Sequence, residues 1–278
     1  VNHRKSKEAT MPKASLASST PFMIAEIEDS IGWMTFNNPD RHNAVKVEMW
    51  EAIPQILDQF EADSAVKVVV LKGSGEKAFI SGADISEFEQ VRSSKAATKH
   101  YEDIADTATD RLYSCSKPTI AMIRGYCIGG GAGIAVSCDL RIATEASKFG
   151  IPAAKLSVGY RHGGIQKLVS LVGPSAAKDI FFTARQIPAS EALVMGLINK
   201  MVPNDELEAA VEEYCQSICT NAPLTITAVK QIIEQISKPE ILDQDLCEQL
   251  VENCFNSEDY IEGRRAFMEK RKPVFKGQ

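Results

Sequence analysis

Three glycine-bearing stretches are the parts of this chain best suited to holding a reacting group: residues 73–75, 81–84 and 129–133. Glycine lets a backbone N–H approach a ligand closely, and at the start of a helix such donors also feel the positive end of its dipole. Each stretch could equally be a plain turn. The run 129–133 lacks the third glycine and the downstream acid of a dinucleotide fingerprint, and Gly73-Ser74-Gly75-Glu76-Lys77-Ala78-Phe79 lacks the Lys-Ser or Lys-Thr of a P-loop. What remains is a pair of facing turns whose amides form an oxyanion hole, a device that stabilises negative charge developing on oxygen.

A second concentration of chemistry lies in residues 155–164. There Tyr160, Arg161 and His162 put a phenol, a fixed cation and an imidazole in consecutive positions ahead of Gly163 and Gly164. The alternative is a surface loop whose polar residues cap a helix. Cys127 adjoins the second turn, but its apolar neighbours and the lack of an adjacent base favour packing over nucleophilic catalysis. The four histidines, at positions 3, 42, 100 and 162, show no paired ligand spacing, so no protein-held metal is expected.

These loops need a scaffold. Residues 23–27 and 31–36 read as strands around an Asp-Ser turn, and Trp50, Ile53, Ile56, Leu57 and Phe60 line one face of a helix. The apolar run 68–71 reads as a buried strand, 101–112 as a helix, 119–123 as a strand, 132–138 as a short helix and 140–143 as a strand. Recurring strand-loop-helix units indicate an α/β core. From Pro174 onward helices dominate, over 175–183, 189–195, 206–219, 224–236, 242–255 and 261–269. Ile226, Val229, Ile232, Ile233 and Ile236 make an apolar face that would pack on the core or on another subunit.

At 278 residues and 44% hydrophobic, the chain can bury a sizeable core. A net charge of −6 offers no general field for nucleic acid, and no apolar run approaches the ~18 residues needed to span a membrane. Seven cysteines without a CxxC pair suit a reduced, cytoplasmic protein. Residues 1–20 are basic, rich in Ser and Ala, and without hydrophobic periodicity, so they are expected to form a flexible leader outside the fold. Were that leader native, the mitochondrial matrix would be the alternative location.

Several segments together carry a family resemblance. Phe36-Asn37-Asn38-Pro39-Asp40-Arg41-His42-Asn43-Ala44 is similar to the entry motif of the crotonase (enoyl-CoA hydratase/isomerase) superfamily. Ala78-Phe79-Ile80-Ser81-Gly82-Ala83-Asp84-Ile85 resembles its first oxyanion turn, and Gly125-Tyr126-Cys127-Ile128-Gly129-Gly130-Gly131 its second. The ending Ser257-Glu258-Asp259-Tyr260 through Glu269-Lys270-Arg271-Lys272-Pro273 resembles its C-terminal helix. The resemblance implies an α/β spiral of strand-strand-helix units over 21–200. It also implies a C-terminal helical region, 201–278, that assembles a homotrimer or dimer of trimers. The implied ligand is an acyl-CoA thioester, with coenzyme A as part of the substrate and no permanently bound cofactor. The Ala83 and Gly130 amides would meet the thioester oxygen. Arg41, His42, Asp84 and Ile85, with Ala83, would follow coenzyme A, and Lys270 would approach its phosphates. Asp84 would be structural or close to coenzyme A, and Glu87 would lie on a solvated helix face.

One departure from the pattern bears on the reaction. The positions where hydratases of the family carry their two glutamates are Gly133 and Ala153. Neither side chain can move a proton, so water addition by the two-glutamate route is closed. Tyr160 corresponds, by its offset from Phe149, to a tyrosine of the methylmalonyl-CoA decarboxylase branch. Decarboxylation of a malonyl-type thioester needs an oxyanion hole and a proton donor, but no base to activate water. Tyr160 would orient the carboxylate, with Arg161 or His162 assisting by charge or protonation. An isomerase with another proton carrier and a non-catalytic acyl-CoA binder are the alternatives.

Overall fold

The computed structural model describes residues 14–87, 94–156, 158–237 and 243–278. Strands β2 (Met23–Glu28) and β3 (Ile31–Phe36) form an antiparallel hairpin whose turn residues, Asp29 and Ser30, both have positive φ. That turn geometry matches the natural twist of paired strands. β3 then pairs in parallel with β4 (Val68–Gly73), followed across the sheet by β6 (Thr119–Ile123), β8 (Leu140–Thr144) and β11 (Lys200–Val202). β4 reads as an unbroken apolar run because both its faces are covered, which is the expectation for a parallel strand. Helix α1 (Val47–Ala62) buries Trp50, Ile53, Ile56, Leu57 and Phe60 in one core cluster. Helix α6 (Leu207–Thr220) buries Leu207, Val211 and Cys215 in a second, together with Val68, Val70, Ile120 and Ile142.

After β4, β6 and β8 the chain adds one short strand each to a second sheet: β5 (Ala78–Ile80), β7 (Tyr126–Ile128) and β9 (Lys148–Gly150). With β10 (Ile187–Pro188) these run in the order β10-β9-β7-β5. Strands of two or three residues carry no readable alternation, so sequence periodicity shows only the larger sheet. The remaining helices are α2 (Lys95–Tyr113), α3 (Gly130–Ser137), α4 (His162–Thr183), α5 (Ala189–Val194), α7 (Pro223–Ile236), α8 (Gln244–Phe255) and α9 (Glu258–Met268). α4 starts well before the expected residue 175, and the expected break survives only as a kink at Gly173, with φ 74°, ahead of Pro174. The expected start of α8, residue 242, lies outside the described residues.

Both ends of the expected core move. Of the leader, residues 1–13 lie outside the described residues, but β1 (Ala14–Ser15) pairs with β2, and buried Thr20 donates its hydroxyl to Glu48 at 2.7 Å. At the other end β11, at the expected boundary of 200, and α6 beyond it belong to the main sheet and its core. Among the described residues no helix is long and apolar enough to cross a membrane. All seven cysteines are free thiols.

The turn that joins β3 to α1 is fixed by two asparagines. Asn43, in a left-handed conformation with φ 57°, accepts a hydrogen bond from Asn38 N–H at 3.0 Å. Its amide donates to the carbonyls of Ser74 at 2.9 Å and Ala78 at 2.8 Å, while the Asn38 amide donates to Ala44 at 2.9 Å. Asn43→Ala leaves these buried groups unpaired and places alanine in a left-handed conformation. We expect a loss of about 3 kcal/mol. It would be read as a lowered denaturant midpoint at unchanged slope, and a loss under about 1 kcal/mol would show that the turn does not depend on this side chain.

Candidate active site

Two loops leave amides unpaired at one place. After β5 the chain makes an isolated parallel bridge between Val45 and Ala83: Val45 N–H donates to Gly82 O at 2.8 Å, and Asp84 N–H donates to Val45 O at 2.9 Å. The peptides flanking Ala83 are thereby clamped, while its own N–H has no acceptor among the described residues. In the second loop Gly129 takes φ 56° and ψ −115°, and its N–H is held by Gly150 O at 2.8 Å. This fold-back makes Gly130 the first residue of α3, where an amide has no intrahelical carbonyl. A β-carbon built on Gly130 would stand 3.8 Å from Ala83 N and 3.1 Å from the Trp50 ring, so the two amides adjoin.

The far end of α3 is closed by Arg141, which is 2% exposed. Its guanidinium donates to the carbonyls of Cys138 at 2.6 Å, Leu197 at 2.8 Å and Ala135 at 3.4 Å. A buried cation here satisfies the orphan carbonyls of a helix C-terminus and complements its dipole.

A cavity of about 250 Å³ opens from the amide pair. Trp50, Tyr101, Ala105 and Thr109 line it from α1 and α2, Gly133 and Ser137 from α3, and Ala153, Leu156, Val158 and Tyr160 from the segment before α4. Ala153 is buried, and a β-carbon on Gly133 would meet no atom within 4 Å. Gly133 and Ala153 therefore form part of the cavity wall and present no carboxylate there.

The sequence-derived site residues separate into groups. Ala83 and Gly130 are brought together. Tyr160 lines the cavity with its ring packed edge-on against Phe181 at 5.1 Å. Arg161 lines it too, but its guanidinium bonds to Glu102 at 3.1 Å and to Asp103 and Asp106 at 2.8 Å each, and these carboxylates hold it firmly protonated. His162 is the exposed first residue of α4 and does not line the cavity. Arg41 and His42 are exposed on the turn that holds Ser81: His42 O accepts from Ser81 N–H at 3.1 Å, and Arg41 O from its hydroxyl at 3.2 Å. Asp84 is buried; burial opposes its ionisation. The hydroxyl and N–H of Ser86, with Arg41 and Lys46 nearby, outweigh that effect and hold its carboxyl below the usual range. Ile85 begins the short 3-10 turn that follows. Lys270 is exposed just beyond α9 and away from the cavity lining.

Two expectations for single residues meet direct observations. Glu87 is not simply solvated, since its carboxylate accepts from Val47 N–H at 3.0 Å and so caps the start of α1. Cys127 is buried, and burial pushes its thiol well above the ordinary range, as packing requires.

Sequence reading missed four side chains in the wall: Tyr101, Glu102, Asp106 and Lys167. Tyr101 accepts a hydrogen bond from the Trp50 indole at 3.0 Å, and Lys167 pairs with Asp110 at 2.7 Å. Charged residues at helical spacing look like a solvated face, and only the packing of α2 beside the cavity distinguishes them. Among the described residues, no three His, Cys, Asp or Glu side chains are grouped to hold a metal ion.

Comparison with known proteins agrees with this geometry. The family model described as enoyl-CoA hydratase/isomerase matches residues 26–278. The chain is 36% identical over 252 residues to the short-chain-enoyl-CoA hydratase of Clostridium acetobutylicum, covering 90% of this chain and 95% of that one. It is 32% identical to the crotonyl-CoA hydratase of Syntrophomonas wolfei, with 91% and 97% covered. A crystal structure of an enoyl-CoA hydratase/carnithine racemase from Magnetospirillum magneticum superposes with a TM-score of 0.88 at 34% identity, over 94% of this chain and 97% of that one. With both amide-bearing loops and this sheet topology in place, the chain belongs to the enoyl-CoA hydratase/isomerase family.

Proposed function

We propose that the chain binds an acyl-CoA thioester with its carbonyl oxygen between the N–H groups of Ala83 and Gly130, and decarboxylates a malonyl-type thioester through the enolate held there. The observation that carries this reading is an acceptor-free amide pair whose cavity wall has Gly133 and Ala153 in place of acid/base side chains. The bond to the substrate carboxylate breaks, CO₂ leaves, and the electron pair passes into the enolate. A proton then adds to the carbon, giving the shortened acyl thioester. Tyr160 orients the departing carboxylate, and Arg161, already bonded to three carboxylates of α2, fixes that wall of the cavity; His162 lies outside the lining, and the proton comes from solvent. Merely holding coenzyme A would not call for the amide pair, which argues against a non-catalytic binder.

One observation favours a second reading. Glu102 and Asp106 line the same cavity, and either could shuttle a proton in an enoyl-CoA isomerase. The exposed Val229, Ile233 and Ile236 of α7 and Phe267 of α9 support assembly as a homotrimer or dimer of trimers. The free thiols fit a cytoplasmic setting.

Gly130→Val puts side-chain atoms between the Trp50 ring and Ala83 N. Turnover should fall by about 10²–10³, the usual effect of losing one such donor, and full activity would remove the amide pair from the mechanism. Arg41 and Lys270 are proposed to meet the coenzyme A phosphates. Their double alanine variant should raise KM more than it lowers kcat, with the difference shrinking as salt is added. Unchanged affinity in low-salt calorimetry would reject that placement. Reaction type is settled by following CO₂ release from malonyl- and methylmalonyl-CoA beside water addition to crotonyl-CoA, with wild type and Tyr160→Phe. We expect CO₂ release that Tyr160→Phe slows, with little hydration. Robust hydration without CO₂ would exclude decarboxylation, and double-bond migration without either would select the isomerase.

A further inference from the structure

Glycine inside a helix is destabilising relative to alanine, because it loses more backbone freedom on folding and offers no side chain to pack. The glycines that open α3 each have a steric reason. Gly129 takes φ 56°, a β-carbon on Gly131 would fall 2.3 Å from Ile80 O, and one on Gly130 would press on the Trp50 ring at 3.1 Å. Gly133 has none of these. It sits within the helix with no positive φ, and a β-carbon there would meet no atom within 4 Å. The fold tolerates a side chain at this position; the space is cavity.

That space has a definite relation to the amide pair. Gly133 follows Gly130 by three residues, so it lies on the same helix face about 4.5 Å further along the axis. Ser137, further along α3, and Ala105 and Thr109 of α2 line the same cavity, all of them short side chains. A thioester whose oxygen rests on the Gly130 amide has its first acyl carbon one bond beyond the carbonyl carbon. A ligand running along α3 brings that carbon to Gly133.

We infer that Gly133 keeps open a subsite for a substituent on the acyl carbon next to the thioester carbonyl. The residue thereby sets a preference for acyl-CoA thioesters branched at that carbon. The inference rests on the placement of the thioester proposed above and adds the substrate class to it. In a malonyl-type substrate that carbon bears two groups of different fate. The carboxylate is directed to Tyr160, and the branch occupies the space at Gly133.

The test uses thioesters that cannot react, so that it does not depend on the type of reaction. Binding of propionyl-CoA and of 2-methylpropanoyl-CoA, which differ by one methyl branch, is measured by calorimetry for wild type, Gly133→Ala and Gly133→Leu. Wild type should bind the branched thioester at least as tightly as the unbranched one. Gly133→Leu should lower the branched-to-unbranched affinity ratio about tenfold, within the range for one methylene in an apolar pocket, with Gly133→Ala in between. Gly133→Ala should also raise the melting temperature by about 2–4 °C, since it removes a helix-interior glycine where there is room for a methyl group. A rise in stability together with a loss of branch selectivity is the expected signature. If both variants leave the affinity ratio unchanged, or if wild type disfavours the branch, the subsite is overturned while the acyl-CoA reading stands. Failure of wild type to bind either thioester overturns both.

Discussion

Everything near the cavity depends on keeping two backbone amides close together and unpaired. An N–H without an acceptor in the protein forgoes a hydrogen bond, and a chain left to itself would relax to pair it. Here relaxation is blocked from several directions. The peptides on both sides of Ala83 are committed to Val45, and the peptide before Gly130 is committed to Gly150. Asn43 ties the turn before α1 to the segment that leads into β5, so the first loop cannot slide relative to the strand that carries it. Arg141 secures the other end of the helix that presents Gly130. These are strong local interactions, and all of them serve to hold a locally unfavourable arrangement.

The charges in the wall follow a different logic. Arg161 is shared among three carboxylates of α2 and is partly exposed, so the network contributes modest stability and chiefly fixes the segment before α4 against that helix. Other side chains of the wall are apolar, among them Trp50, Ala105, Ala153 and Leu156. On the proposed placement, an acyl group lying along α3 would leave water for this apolar surface while its carbonyl met the amides of Ala83 and Gly130. The attraction for anionic character is thus concentrated at the amides, where an enolate would carry it.

Much of this was legible in the sequence, and the reasons are uneven. The apolar face of α1 and the continuous run of β4 show up because burial imposes a period on the residues that form them. The two turns are legible as motifs because glycine is needed where backbones approach or φ is positive. The second sheet is not legible, since Ala78–Ile80 and Lys148–Gly150 are too short to show alternation and are defined by pairing with distant segments. For the same reason the acids of α2 look like surface residues in isolation. Gly133 is the converse case: the residue type is plain, but its meaning requires knowing that nothing stands beside it.

The donors of the amide pair belong to the main chain, and no single side-chain deletion removes them. Damage must come indirectly, by added bulk or by a shift of the backbone. The walls, in contrast, are made of side chains that can be exchanged one at a time without unfolding the loops. A chain can therefore carry Gly133 and Ala153 in this wall and still keep the main-chain donors of Ala83 and Gly130 in place. In such a scaffold the capacity to stabilise charge is inherited with the backbone, and the reaction performed is rewritten residue by residue around it.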